Sequence, residues 1–175
     1  MKIGIAGLSH IEELQSVSRR TFSETFADHN SKEDLDLFLE RSYSLDALRK
    51  ELSNPDSTFF LLYVNSEVQG YMKLNRGQAQ TEYQGEEAIE IERIYVTQAV
   101  KGNGYGKALL NKAIEISKWE ELPFLWLGVW EENAPAIRFY EKNGFVAFGE
   151  HTFMLGTDPQ RDILMKLVTN ESSAF

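Results

Sequence analysis

The feature that most constrains this chain is a double change of period between residues 88 and 130. Ala88–Val96 is a β-rich run with glutamates at alternating positions, and it is followed by Lys101-Gly102-Asn103-Gly104-Tyr105-Gly106. An amphipathic helix over 105–118 comes next, with Leu109, Ala113 and Ile116 on one stripe and Leu110 and Ile114 widening it. Phe124–Trp130 is then a continuous apolar run, the pattern of a buried strand. Strand, helix, strand in that order predicts a right-handed crossover between parallel strands. The chain must therefore contain a sheet with at least one face covered by helix.

The flanking sequence fills in the rest of an α/β order. Lys2–Ala6 reads as a short strand, with Ser9 as N-cap of a helix over 10–26. Leu35, Phe38, Leu39, Leu45, Leu48 and Leu52 recur at spacings of three and four, predicting two short helices with Ser31 and Ser44 as caps. Runs at 58–64 and 68–74 flank Asn65-Ser66-Glu67, a hairpin signal, and the polar stretch 76–87 reads as a loop. Asn133 and Pro135 open a helix that stops at Gly144. Strands over 145–155 and 163–168 surround a turn at Gly156-Thr157-Asp158-Pro159. The expected architecture is a mixed, mostly antiparallel sheet of six to seven strands with flanking helices, in a single domain over 1–168 with a polar tail at 169–175.

Composition narrows the chemistry. The 175 residues contain no cysteine, which excludes disulfides and thiolate chemistry, and three scattered histidines, His10, His29 and His151, show no metal-ligand spacing. Carboxylates, hydroxyls and tyrosine remain as candidate catalytic groups, with no metal. A formal net charge of −9 argues against nucleic acid, which needs a clustered basic surface, and suits a cationic ligand or simple solubility. No run approaches the roughly 18 apolar residues that span a bilayer. The chain reads as cytoplasmic, with no membrane partner.

Gly102, Gly104 and Gly106 leave the turn without side chains, so backbone N–H groups at the helix start can converge on an anion, helped by the helix dipole. Lys107 is followed by Ala108 instead of Ser or Thr, so this is not a nucleotide P-loop, and the glycine spacing is not G-x-G-x-x-G. A glycine-rich helix start without a ligand remains open from this motif alone.

The run Ile94-Tyr95-Val96 followed by 100–110 resembles the acetyl-CoA motif of the GNAT N-acetyltransferase superfamily, in which Q/R-x-x-G-x-G/A binds the coenzyme pyrophosphate. Lys101 stands where that family usually has Gln or Arg. A second signature of the family resembles the segment 130–145, with Asn133, Ala136, Phe139-Tyr140-Glu141 and Gly144-Phe145. The resemblance implies acetyl-CoA as cosubstrate, held by Ile94, Tyr95, Val96, Lys101, Gly102, Asn103, Gly104, Tyr105, Gly106, Lys107 and Asn133. It implies a splayed parallel strand pair around the thioester and Tyr140 as the acid that protonates departing thiolate, a role a phenol of pKa about 10 can fill. By position Glu90 corresponds to the family's frequent general base, and Glu92, two residues on, is the alternative if a β-bulge re-aims the strand. Packing of Tyr140 and solvated strand glutamates are the plain alternatives.

The segment from Thr21 through Phe26, Asn30, Glu33, Asp34 and Tyr43 is similar to the N-terminal region of PaiA-type spermidine/spermine N-acetyltransferases. That likeness implies a small-molecule amine acceptor, a polyamine first, with acidic side chains for its charges and Phe26 and Tyr43 for its methylenes. A protein N-terminal or lysine acetyltransferase and a non-catalytic acetyl-CoA-binding regulator stay open, as does a homodimer.

Overall fold

The computed structural model describes residues 1–155 and 157–170. Seven strands form one sheet: β1 (Lys2–Ala6), β2 (Ser57–Val64), β3 (Glu67–Asn75), β4 (Ala88–Val96), β5 (Phe124–Trp130), β6 (Val146–Leu155) and β7 (Asp158–Val168), in the order β1-β2-β3-β4-β5-β7-β6. All neighbours are antiparallel except β4 and β5, whose crossover is the helix α4 (Tyr105–Trp119). Their pairing covers only Ala88–Phe124, Ile89–Leu125 and Glu90–Trp126. Both strands run on past that point without each other, which opens a wedge in the middle of the sheet.

Helices cover both faces. On one, α4 and α5 (Ala134–Lys142) pack Leu109, Leu110 and Tyr140 against Leu62, Met72, Ile89 and Leu127. On the other, α1 (Ile11–Phe26), α2 (Lys32–Tyr43) and α3 (Leu45–Leu52) pack Leu14, Phe22, Phe38 and Leu48 against Leu61 and Tyr71. Each fully buried Leu or Phe contributes about 1.5–3 kcal/mol. The strand alternation that feeds two faces reverses within β4. Leu74 of β3 faces Ile91, but Lys73 faces Arg93, so Glu92 is the extra residue of a bulge. The bulge turns Arg93 and Tyr95 toward the α1–α3 face and leaves Ile94 and Val96 against α4.

Local chemistry explains the helix starts. Ser31 and Ser44 accept from Asp34 N and Ala47 N, and Asn133 accepts from Ala136 N behind Pro135. The α1 start differs from the expected Ser9 cap: a short 3-10 turn over Leu8–His10 makes His10 the N-cap residue, and its Nδ1 accepts from Gly7 N at 3.1 Å. The last hairpin also differs. β7 begins at Asp158 and includes Pro159, where a turn is expected. Proline is tolerated because β5 pairs with β7 only from Asp162 onward, so the missing N–H at 159 costs no ladder bond on that side. Gly156 of that turn and residues 171–175 of the polar tail lie outside the described residues, while Thr169 is tied down by its N–H to Pro123 O.

Candidate active site

The glycine turn places a bare helix start at the wedge. Gly104 is the N-cap of α4 with φ +81°, a left-handed conformation that glycine adopts without a Cβ penalty, and no side chain caps the helix. The first bond into the Gly104 carbonyl comes from Ala108 N, so the N–H groups of Tyr105, Gly106 and Lys107 point out of the helix end. A Cβ added at Gly102, Gly104 or Gly106 would meet nothing within 4 Å. The space in front of the turn is open. Asn103 Nδ2 donates to Val100 O and Lys101 O, which fixes the turn, and the Lys107 ammonium is bonded to Asn143 Oδ1.

From this turn a cavity of about 980 Å³ runs through the wedge to the α1–α3 face. Of the residues singled out in the sequence, Lys101, Gly102, Gly104, Tyr105, Gly106, Lys107, Ile94, Tyr95, Val96 and Asn133 line it; Asn103 does not. Tyr140 lines it too, 8% exposed, its ring packed on Phe139 and Phe145. Burial pushes its phenol well above the ordinary value, so the hydroxyl stays protonated.

Glu90 and Glu92 both reach the cavity but in different states. Glu90 is 2% exposed and accepts from Thr81 N at 2.8 Å, Asn75 Nδ2 at 3.0 Å and the Thr81 hydroxyl. Burial raises its pKa, and these donors oppose the rise. Glu92 is ion-paired with Lys73 at 2.6 Å and Arg93 at 2.9 Å. Burial alone would raise its pKa, but the Arg93 and Lys73 charges outweigh it and the carboxyl is held low.

Three more groups stand at the cavity that sequence reasoning did not select. His151 Nδ1 lies 2.9 Å from a Glu82 carboxylate oxygen, and its Nε2 lies 3.5 Å from Asp162 Oδ2. The contact with Asp162, ahead of burial, which opposes it, raises the imidazole pKa, with Glu82 adding to the rise. The expected acceptor residues divide: Phe26 and Tyr43 line the cavity, whereas Asn30, Glu33 and Asp34 do not. Asn30 accepts from Gln160 Nε2, Glu33 lies on the outer surface, and Asp34 accepts from Thr157 N and Oγ1, both at 2.8 Å. Those donors hold the Asp34 carboxyl below its usual range.

Comparison with known proteins gives the chain's family. The chain is 42% identical over 156 residues to an uncharacterised N-acetyltransferase in the pepI 3′ region of Lactobacillus delbrueckii subsp. lactis, covering 89% of this chain and 90% of that one. It is 28% identical over 151 residues to a spermidine N(1)-acetyltransferase of Thermoplasma acidophilum, covering 83% and 89%. The crystal structure of the PaiA N-acetyltransferase of Thermoplasma acidophilum in complex with coenzyme A superposes with a TM-score of 0.78 at 26% identity, over 96% of this chain and 99% of that one. The model of the acetyltransferase (GNAT) family matches residues 11–145, and the chain belongs to that family.

Proposed function

We propose that the protein transfers the acetyl group of acetyl-CoA to a primary amine of an aliphatic polyamine such as spermidine. The observation that carries this reading is the polarity of the cavity. One end is the uncapped start of α4, suited to a pyrophosphate; the other holds the carboxylates of Glu82 and Asp162 beside the aromatic walls of Phe26, Phe38 and Trp130, while Glu90 and Glu92 there are engaged by Thr81, Asn75, Lys73 and Arg93. A flexible chain with cationic nitrogens separated by methylenes complements both features of that second end.

In this reading the N–H groups of Tyr105, Gly106 and Lys107 hold the pyrophosphate, and the edge of β4 at Ile94 and Val96, free of β5, holds the pantetheine amides. Bound acetyl-CoA supplies an activated thioester. Tyr140 keeps its proton at neutral pH and gives it to the departing sulfur. Glu92, with its two cations, is a fixed anion; Glu90 fastens Thr81, and with it the segment carrying Glu82, to the sheet. Asn133 orients the start of α5, and so Tyr140.

The test is a panel of spermidine, spermine, n-propylamine and a short peptide with a free N-terminus, each with acetyl-CoA, reading released thiol. Spermidine should have the highest kcat/KM, by roughly tenfold or more over n-propylamine, about 1.4 kcal/mol of extra recognition. That advantage should shrink as salt screens the second ammonium over about 10 Å at 0.1 M. Equal efficiency on spermidine and n-propylamine at all salt concentrations, or preference for the peptide, would refute the polyamine reading.

A further inference from the structure

We propose that the acceptor ammonium binds at Asp162 and gives its proton to His151 Nε2, with Glu82 fixing the imidazole from its other side. This rests on amine acetylation, which family membership supplies, and not on the polyamine reading. Strand register builds the group: β6–β7 pairing sets His151 opposite Asp162, and β5–β7 pairing sets Trp130 opposite Asp162. Gly128, two residues beyond the last β4–β5 pair at Trp126, lies alongside. A Cβ there would stand 3.2 Å from Asp162 Oδ2 and 3.4 Å from His151 Nε2, so the missing side chain leaves both atoms open to the wedge.

Each member is in the state the role requires. Asp162 Oδ1 is buried and accepts no hydrogen bond among the described residues, although buried carboxylate oxygens are ordinarily satisfied. It calls for a donor from outside the chain, and an ammonium offers three. In the neutral imidazole Glu82 at Nδ1 favours the tautomer whose proton sits there, so Nε2 can take a proton, and Asp162 beside Nε2 then holds the imidazolium that forms. The competing proton acceptors are engaged: both Glu90 oxygens accept bonds from Thr81 or Asn75, and both Glu92 oxygens face Lys73 or Arg93. The charged groups facing the imidazole are Glu82, from the segment between β3 and β4, and Asp162 from β7; β5 contributes Gly128.

The protons balance. The ammonium nitrogen loses one proton to His151 Nε2 and becomes nucleophilic. As that nitrogen bonds to the acetyl carbon and the C–S bond breaks, the sulfur gains a proton from Tyr140, the nitrogen's second proton passes to the Tyr140 phenolate so formed, and His151 releases the first proton to water, a net release of one.

The test combines pH–rate profiles with histidine NMR. At pH 7, His151→Gln should lower kcat on spermidine and on n-propylamine by roughly 10²-fold or more. The deficit should shrink as pH rises toward the amine's own pKa near 10, because solvent then supplies free amine. Acetyl-CoA affinity by calorimetry should stay unchanged. With only three histidines in the chain, loss of one imidazole signal in His151→Gln assigns His151. In the wild type that signal should titrate above the ordinary histidine value, shift on adding spermidine, and move down in Asp162→Asn and in Glu82→Gln. His151→Gln with wild-type kcat and an unaltered profile overturns the proposal. So does a His151 signal that ignores both Asp162→Asn and spermidine. If the wild type acetylates neither amine, the polyamine reading fails, and the NMR arm with n-propylamine still decides on His151 by the same criteria.

Discussion

Tyr140→Phe separates chemistry from packing because it removes the hydroxyl and keeps the ring. The ring sits 5.3 Å from Phe139 and 5.6 Å from Phe145 between centroids, contacts that phenylalanine keeps. The hydroxyl is at the cavity, on a residue 8% exposed, and makes no hydrogen bond among the described residues. The hydroxyl faces the cavity and has no such bond to lose, so its removal should leave stability within about 1 kcal/mol, a change of no more than roughly 4 °C in Tm for a domain of this size. Loss of a general acid should slow turnover by roughly 10²-fold or more, about 2.7 kcal/mol of barrier. Steady-state kinetics at saturating substrates, calorimetric acetyl-CoA binding and a thermal melt give the three numbers. An unchanged kcat where chemistry limits the rate would refute the acid role. A Tm lower by more than about 5 °C would show that the hydroxyl is structural.

Gly104→Glu should abolish acetyl-CoA binding in calorimetry with the circular dichroism spectrum kept: the left-handed residue costs about 1–2 kcal/mol, and the carboxylate enters the open space before α4. Unchanged affinity in a folded variant would remove the phosphate site. Alkaline pH should weaken the fold, since burial raises the phenols of Tyr43, Tyr71, Tyr95 and Tyr140, whose unfolded pKa is about 10. Their contribution is complete below pH about 10 and declines above it toward the folded values, so the urea midpoint should fall between pH 8 and pH 11; an equal midpoint would contradict this. Asp34→Ala should lower Tm, by freeing Thr157 and the Ser31 hydroxyl, while the KM for spermidine stays within twofold, and a large KM rise with unchanged Tm would put Asp34 back in the acceptor site.

What the sequence makes legible is what depends on neighbours along the chain. The bare start of α4 follows from three glycines in five residues, and the Asn133 cap and Pro135 announce α5 without tertiary information. The wedge follows from β-α-β order plus the family likeness. Roles that depend on register are not legible in this way. The bulge at Glu92 reverses the alternation of β4, and nothing in Glu90-Ile91-Glu92-Arg93 marks which residue is extra. Asp34 looks like an acceptor ligand from its charge and surroundings, yet its partner is Thr157, 123 positions away. The same limit hides His151. Reading Pro159 as part of a turn starts the last strand at residue 163 and leaves Asp162 in the connection, where it pairs with nothing. Once β7 begins at Asp158, because β5 leaves the N–H side of Pro159 unclaimed, Asp162 falls opposite both His151 and Trp130. A histidine that shows no metal spacing and an aspartate that seems to close a loop thus become neighbours above Gly128, where β4 and β5 part.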